Sequence, residues 1–343
     1  MKTLFTLWFA LLLTASISAQ AFTVPDTLII ENFENDPTSN MLSVPSGDDL
    51  QWVNYDQDHE LGLCVTGGAT PYGWWQEGDF SVPNSNQTTN SAFTSCSYLA
   101  DENVRNANWL ITSPITIPDS SFRLFWRSLS YYGPGYVDGY HVLASESSND
   151  PDSFKVTLFA AAEMTANSAP VGSLNPADYV YSDGYLHANG YTDTTYFFLD
   201  YSEGPPFYHG RLEPHSVQLN AFAGKTIYIA FLHDSQNDFL LQIDDIVISN
   251  TPTTSTRTPD QIQAFQVMPN PVRDGAYFSW SLKTAQESML TVMDNSGKVV
   301  FQRFFNSRTG GLYYLEAQQL DAGVYYCTLE TVSGKATTKM IKL

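Results

Sequence analysis

The stretch from Gly224 to Ser249 holds two apolar runs of strand length, Thr226-Ile227-Tyr228-Ile229-Ala230-Phe231-Leu232-His233 and Phe239-Leu240-Leu241-Gln242-Ile243-Asp244-Asp245-Ile246-Val247-Ile248-Ser249. Between them lies a polar turn, residues 235–238. β-Branched and aromatic residues flanked by turn formers predict a buried antiparallel pair. Because side chains alternate along a strand, Phe239, Leu241, Ile243 and Val247 should share a face with Asp245. Leu240, Gln242, Ile246 and Ile248 should share the other with Asp244. At least one carboxylate therefore points among apolar neighbours, where leaving it unpaired costs several kcal/mol. It requires hydrogen bonds, a basic partner or a cation.

The rest of the N-terminal part repeats this strand grammar. Leu28-Ile29-Ile30 runs into Glu31-Asn32-Phe33-Glu34, and strands are predicted over 109–117, 122–129 and 140–145. A loop is predicted between Ser81 and Ser91, and only Ala160 to Met164 could hold a short helix. Short strands separated by turns, without helical periodicity, indicate an all-β sandwich or barrel. From Asn167 to Glu213 the chain is rich in Tyr, Gly, Asp and Pro, with a strand at Tyr196–Leu199 and an exposed loop at Gly204–Gly210. Long loops of this kind are where binding concentrates.

Charge is distributed unevenly. Of the net −20, the part from Thr258 onward carries 8 basic and 7 acidic residues, and the part before it 8 basic and 29 acidic. That excess of acid argues against nucleic acid as a partner and is compatible with cation binding. Residues 1–21 read as a secretory signal peptide, with Lys2, an apolar run from Leu4 to Leu13 and small residues up to Ala21. The run is too short to span a bilayer, and no later stretch predicts a transmembrane segment. In an oxidising compartment Cys64 and Cys96 could pair or remain apart, whereas Cys327 reads as a small buried hydrophobe.

Residues 251–264 are Thr/Pro-rich and predict a linker across which few contacts pass, dividing a domain at 22–250 from one at 265–343. Seven short strands are predicted in the second: 265–268, 277–282, 289–293, 299–305, 312–316, 323–330 and 335–342. They suggest a small immunoglobulin-like β-sandwich.

Two resemblances rest on short motifs. Glu31-Asn32-Phe33-Glu34, residues 108–114, Ala223-Gly224-Lys225-Thr226-Ile227 and Ile243-Asp244-Asp245-Ile246-Val247 stand in the order of the choice-of-anchor J and cleaved-adhesin families, secreted jelly rolls similar to MAM-type domains. The C-terminal part resembles the type A sorting domain of the type IX secretion system. That likeness rests on Met268-Pro269-Asn270-Pro271-Val272, on Asp294-Asn295-Ser296-Gly297-Lys298 and on Leu320-Asp321-Ala322-Gly323-Val324-Tyr325. In the sorting motif, Pro269, Asn270 and Pro271 fix an extended approach to the domain. Asp294 and Gly297 make a hairpin turn, and Gly323 permits a tight turn before the strand of Tyr325. The second resemblance implies delivery by the type IX machinery to the outer cell surface or medium.

The first resemblance implies a structural Ca²⁺ held by Glu34, Asp244 and Asp245, completed by Asn32 or backbone carbonyls; hard oxygen ligands suit Ca²⁺. The rival readings are a salt bridge to Arg123 or Arg127, or exposure of one Asp at a bulge. Trp74, Trp75, Tyr132, Tyr136, Phe207 and Tyr208 lie in loop-like surroundings and are candidate ligand-binding rings for a glycan or an extracellular protein. No metalloprotease, serine-hydrolase or phosphate-loop motif occurs. The function expected is that of an adhesin-like binding protein; the alternative is a secreted, glycosidase-like hydrolase built on two apposed carboxylates.

Overall fold

The computed structural model describes residues 27–39, 51–64, 72–80, 91–133, 136–161, 164–167, 179–181, 197–200, 207–250 and 261–343. The expected signal peptide, nearly all of the loop expected at Ser81–Ser91 and most of the Tyr-rich segment after Asn167 lie outside them. In chain order the N-terminal body has β1 Thr27–Glu31, β2 Thr38–Ser39, β3 Trp52–Asp56, β4 Trp74–Gly78, β5 Ser91–Cys96 and β6 Asn108–Ile111. These are followed by β7 Ile115–Thr116, β8 Phe122–Ser130, β9 Tyr132–Gly133, β10 Tyr140–Ser145, β11 Val156–Ala161 and β12 Met164–Asn167. β13 Tyr179–Tyr181, β14 Phe197–Asp200, β15 Phe207–Gly210, β16 Glu213–Gln218, β17 Thr226–His233 and β18 Leu240–Asn250 complete it. The C-terminal body has β19 Ile262–Met268, β20 Gly275–Asp294, β21 Val299–Glu316, β22 Gly323–Thr331 and β23 Gly334–Lys342.

Two sheets make the N-terminal sandwich. One runs β16-β8-β18-β5-β4 with β1 also on β18; the other runs β11-β10-β17-β6-β3-β2 with β7 also on β17. Longer strands alternate between them, β5, β8, β16 and β18 in one and β6, β10 and β17 in the other, as in a jelly roll. Leu124, Trp126, Leu241, Ile243, Ile246 and Ile248 from the first sheet close on Leu110, Tyr140, Val142, Ile229 and Phe231 from the second. Each such buried side chain contributes about 1.5–3 kcal/mol. β14, β15 and β9 form a small side sheet. The segment expected as an exposed loop at 204–210 ends as strand β15, with His209 buried. No helix appears at Ala160, which belongs to β11.

The central pair departs from its expected pairing. β17 and β18 are both buried strands, but they lie in opposite sheets and do not bond to each other. The segment 234–239 carries the chain from one layer to the other, with Asn237 in the left-handed region at φ 56°. A strand apolar on both faces accepts any buried neighbour, so its pattern specifies burial and not the partner. The alternation expected along β18 also breaks. Leu241 and Ile243 face the core, and after Asp244-Asp245 so do Ile246 and Ile248, while Val247 joins a cluster with Phe125. Asp245 has φ 48°, and the register against β8 slips between Asp244 and Val247. This bulge inserts a residue and changes which face each side chain takes.

In the C-terminal body the seven expected strands are five. The predicted 277–282 and 289–293 merge into β20, and 299–305 and 312–316 into β21, with register shifts around Gln286. The first arm of β20 lies between β19 and β21, the second between β21 and β22. Phe265, Val267 and Trp280 share one core with Leu290, Val292, Cys327 and Met340. Burial pushes the Cys327 thiol up to about 12, so it stays an unreactive hydrophobe. β19 starts at Ile262, inside the stretch expected to be linker.

Candidate functional site

β18 changes its edge partner in mid-course. β5 flanks Leu240–Ile243, β1 flanks Ile246–Ser249, and Asp244 and Asp245 fall in the gap. Both are buried, and Arg127 of β8, itself 4% exposed, reaches across to them. Its Nε donates to Asp245 Oδ2 at 2.7 Å and its terminal nitrogen to Asp244 Oδ2 at 3.2 Å. Asp244 Oδ1 accepts the Asp245 backbone N–H at 2.7 Å. Burial works against the charge on Arg127, and Asp245, Tyr314, Asp244 and Asp79 outweigh it, so its pKa stands well above the ordinary value.

This arrangement does not fit a Ca²⁺ cage. Asn32 donates to Asp274 at 3.2 Å, and Glu34, exposed, accepts the Ser91 N–H at 3.0 Å. Among the described residues no group of three or more His, Cys, Asp or Glu side chains is gathered as a metal ion requires. The four expected ligands are therefore not brought together, and a guanidinium stands where the positive charge was required. Of the expected alternatives, the salt bridge to Arg127 and the bulge both occur.

The rings sort by depth. Trp74 is fully buried, donating its indole N–H to the Asn108 carbonyl at 3.1 Å, so it is core and no ligand reaches it. Trp75 is buried against the Cys64–Cys96 disulfide with Leu240. Tyr136 is exposed, and Tyr208 is half-buried, its ring centroid 5.4 Å from Phe197. Phe207 lies in β15, its side chain outside the described residues. Tyr132 is half-buried and belongs to a cluster that spacing alone did not reveal. Its centroid is 4.8 Å from Phe239, 4.7 Å from Tyr131 and 5.2 Å from His209; Tyr131 lies 4.3 Å from His209 and 5.0 Å from Phe80. Phe80, Tyr131 and Phe239 also pack on the disulfide cluster.

Beneath these rings lies a buried polar layer. Asp138 accepts the Ser97 hydroxyl at 2.5 Å and the Phe239 N–H at 3.3 Å, and lies 3.1 Å from His233 Nε2. His233 Nδ1 meets Ser95 Oγ at 2.8 Å. Ser130 Oγ accepts the Asp138 N–H at 2.8 Å and donates toward the carbonyls of Tyr132 and Tyr136 at 3.3 Å. The network fixes the loop that carries the rings. Ser95, His233 and Asp138 are the residue types of a hydrolase triad, but all three are 0% exposed, so no substrate meets the hydroxyl. Ser128 and Glu213 both approach Nε2 of His215, at 2.8 and 3.5 Å, in a second buried set of the same residue types. Both are internal supports.

At the C-terminus the motif residues are structural. Asn270, between Pro269 and Pro271, donates to the Lys339 carbonyl at 2.7 Å and accepts the Ile341 N–H at 2.8 Å, binding the stretch to β23. Asp294 Oδ1 accepts the N–H groups of Ser296 and Lys298 while Gly297 turns the chain at φ 85°. Tyr325, buried, donates to the Asp321 carbonyl at 2.8 Å. Gly323 opens β22 in unrestricted space, with its φ outside the left-handed region.

No curated protein matches this sequence. Among solved structures, the K1 cleaved adhesin domain of Lys-gingipain from Porphyromonas gingivalis is 21% identical, covering 65% of this chain and 98% of that one at a TM-score of 0.37. The K3 domain is 20% identical, covering 66% and 100%, at 0.37. The glycoside hydrolase domain of Endo-D from Streptococcus pneumoniae is 12% identical, covering 85% and 37%, at 0.30. Residues 266–343 match the family of secretion system C-terminal sorting domains. The chain thus carries the sorting domain of the type IX secretion system, and it is a protein secreted or attached to the outer cell surface.

Proposed function

We propose that this protein is an adhesin-like binding protein of the cell exterior, which takes a glycan or an extracellular protein on the ring cluster around Tyr131, Tyr132 and Phe239. The observation that carries the reading is a set of half-buried aromatic rings held from below by a buried hydrogen-bond network and a disulfide. Rings whose positions are fixed before binding lose little entropy on contact, and aromatic anchors dominate such interfaces. Export then brings the cluster to its ligand, with the N-terminal 21 residues acting as a signal peptide. The acidic pair is read as a structural ion pair with Arg127, and no catalysis is assigned to it.

The test is binding of the full chain to a glycan array and to a panel of matrix proteins, beside a glycosidase substrate panel. Binding without turnover is expected, weakened at least about tenfold by Tyr132→Ala and by Phe239→Ala. Turnover of any glycoside, binding indifferent to both substitutions, or no ligand on either panel overturns the reading.

A further inference from the structure

The two bodies meet across the outer face of the sheet that holds β8 and β18, and the junction is built like a core. Met268 and Tyr277, both fully buried, form one cluster with Phe125 and Val247, completed by Leu312 and Tyr314. The Phe125 and Tyr277 rings lie 5.4 Å apart, and Tyr277 and Tyr314 meet edge to face at 4.9 Å. The Tyr314 ring covers the Arg127 guanidinium at 3.9 Å. The Tyr277 hydroxyl donates to the Asp245 carbonyl at 2.7 Å, and Asn32 donates to Asp274 at 3.2 Å. The charged node of β8 and β18 thus has the sorting domain as its roof. The linker composition predicted few contacts here, and the junction corrects that expectation.

We propose that the sorting domain is latched onto the sandwich by this seam, so that severing residues 251–260 does not by itself release it. A tether of about ten residues raises the local concentration of the docked domain to roughly millimolar, so even a weak contact would look closed in the intact chain. The seam has the composition of a stronger one. It removes Phe125, Val247, Met268 and Tyr277 from water and closes an aromatic face over a buried cation, the arrangement found at energetically dominant interface residues. Separation would expose those apolar side chains and return Arg127 and its two aspartates to solvent. Release of the sandwich therefore takes a step that unseats Tyr277 and Tyr314, in addition to breaking a peptide bond.

The test starts from the full chain with a specific protease site placed within 251–260, cut after folding and passed over a sizing column at low micromolar concentration. The two pieces are expected to co-elute. Tyr277→Phe, which deletes only the hydroxyl bonded to Asp245, should raise their dissociation constant about three- to tenfold. Tyr314→Ala, which uncovers Arg127, should raise it more than tenfold. Phe304→Ala, an exposed ring of β21 that is not part of the seam cluster, should leave it unchanged. If Tyr314→Ala fails to fold by circular dichroism before cutting, Tyr277→Phe carries the comparison. Wild-type pieces that separate completely at low micromolar concentration overturn the latch, as does equal dissociation of wild type and both seam variants.

Discussion

Reducing the Cys64–Cys96 disulfide should loosen the N-terminal sandwich by a calculable amount. The bridge spans a sequence separation of 32, closing a loop that takes in β4 and joins the end of β5 to the stretch after β3. In the chain-entropy account a closed loop of that size lowers the entropy of the unfolded chain by about 12 cal/mol/K, or about 3.7 kcal/mol at 25 °C. For a body of this size each kcal/mol moves the melting temperature by about 2–4 °C, so reduction should lower it by roughly 7–15 °C. Trp75, Leu240, Phe80, Tyr131 and Phe239 all pack on the bridge, so ligand binding at the rings should weaken as well. The assay is a thermal melt of the full chain by circular dichroism with and without a phosphine reductant, beside the double variant Cys64→Ala with Cys96→Ala. Cys327, buried in the other body, is not part of the bridge and provides no alternative disulfide partner within its own core. A melting temperature that moves by less than about 2 °C on verified reduction would refute the reasoning.

Arg127→Met should destabilise the chain by about 3–5 kcal/mol, because Asp244 and Asp245 stay buried without their cation; adding Asp244→Asn and Asp245→Asn should recover most of it in urea unfolding, and a nearly neutral single substitution would show another cation at the pair. Asp56 is buried with Oδ2 lacking a hydrogen-bond partner among the described residues, and desolvation, then Asp58, raises its pKa from 3.8 to about 6. A carboxyl raised on folding binds its proton more tightly in the native state, so stability should fall as pH rises from about 4 to 6 and then level off, costing up to about 3 kcal/mol at neutral pH. Asp56→Asn should remove that slope in pH-dependent urea melts; an unchanged slope contradicts the assignment. Asn270→Ala removes both bonds to β23 and should destabilise the sorting domain by about 1–3 kcal/mol, read as loss of amide-exchange protection in β23 before β20. Equal loss in both strands would place the damage elsewhere.

The sequence reveals strands more readily than their neighbours. β17 and β18 are evident from unbroken apolar runs, and the same lack of alternation that marks them as buried hides which strand lies beside each. The acidic pair announces a buried charge that needs an answer, but Arg127 lies 117 residues away from Asp244 and nothing local singles it out over Arg123. Glycine and proline suggest loops around rings that the fold in fact buries. Trp74 follows Gly73, which reads as a turn, yet Asn54 bonds both its N–H and its carbonyl and draws the ring into the core. The seam stayed hidden because Phe125, Val247 and Tyr277 alternate within their strands just as interior residues do. Their faces point outward from one body and are interior only to the pair.

Among the described residues, β1 is the whole of what covers one side of β18 from Ile246 to Ser249, and it is a five-residue strand drawn from 222 residues upstream. Its own outer side is unpaired by any described strand, with Leu28 and Ile30 exposed. Any shortening of the chain from its beginning therefore meets a limit set by the sheet. Loss of residues before Thr27 leaves the described ladder between β1 and β18 in place, whereas a few residues more would strip the cover from Ile246 and Ile248 and turn a buried strand into a free template. Such a template invites an incoming strand from another chain, so molecules shortened into β1 should associate edge to edge more readily than molecules that keep it.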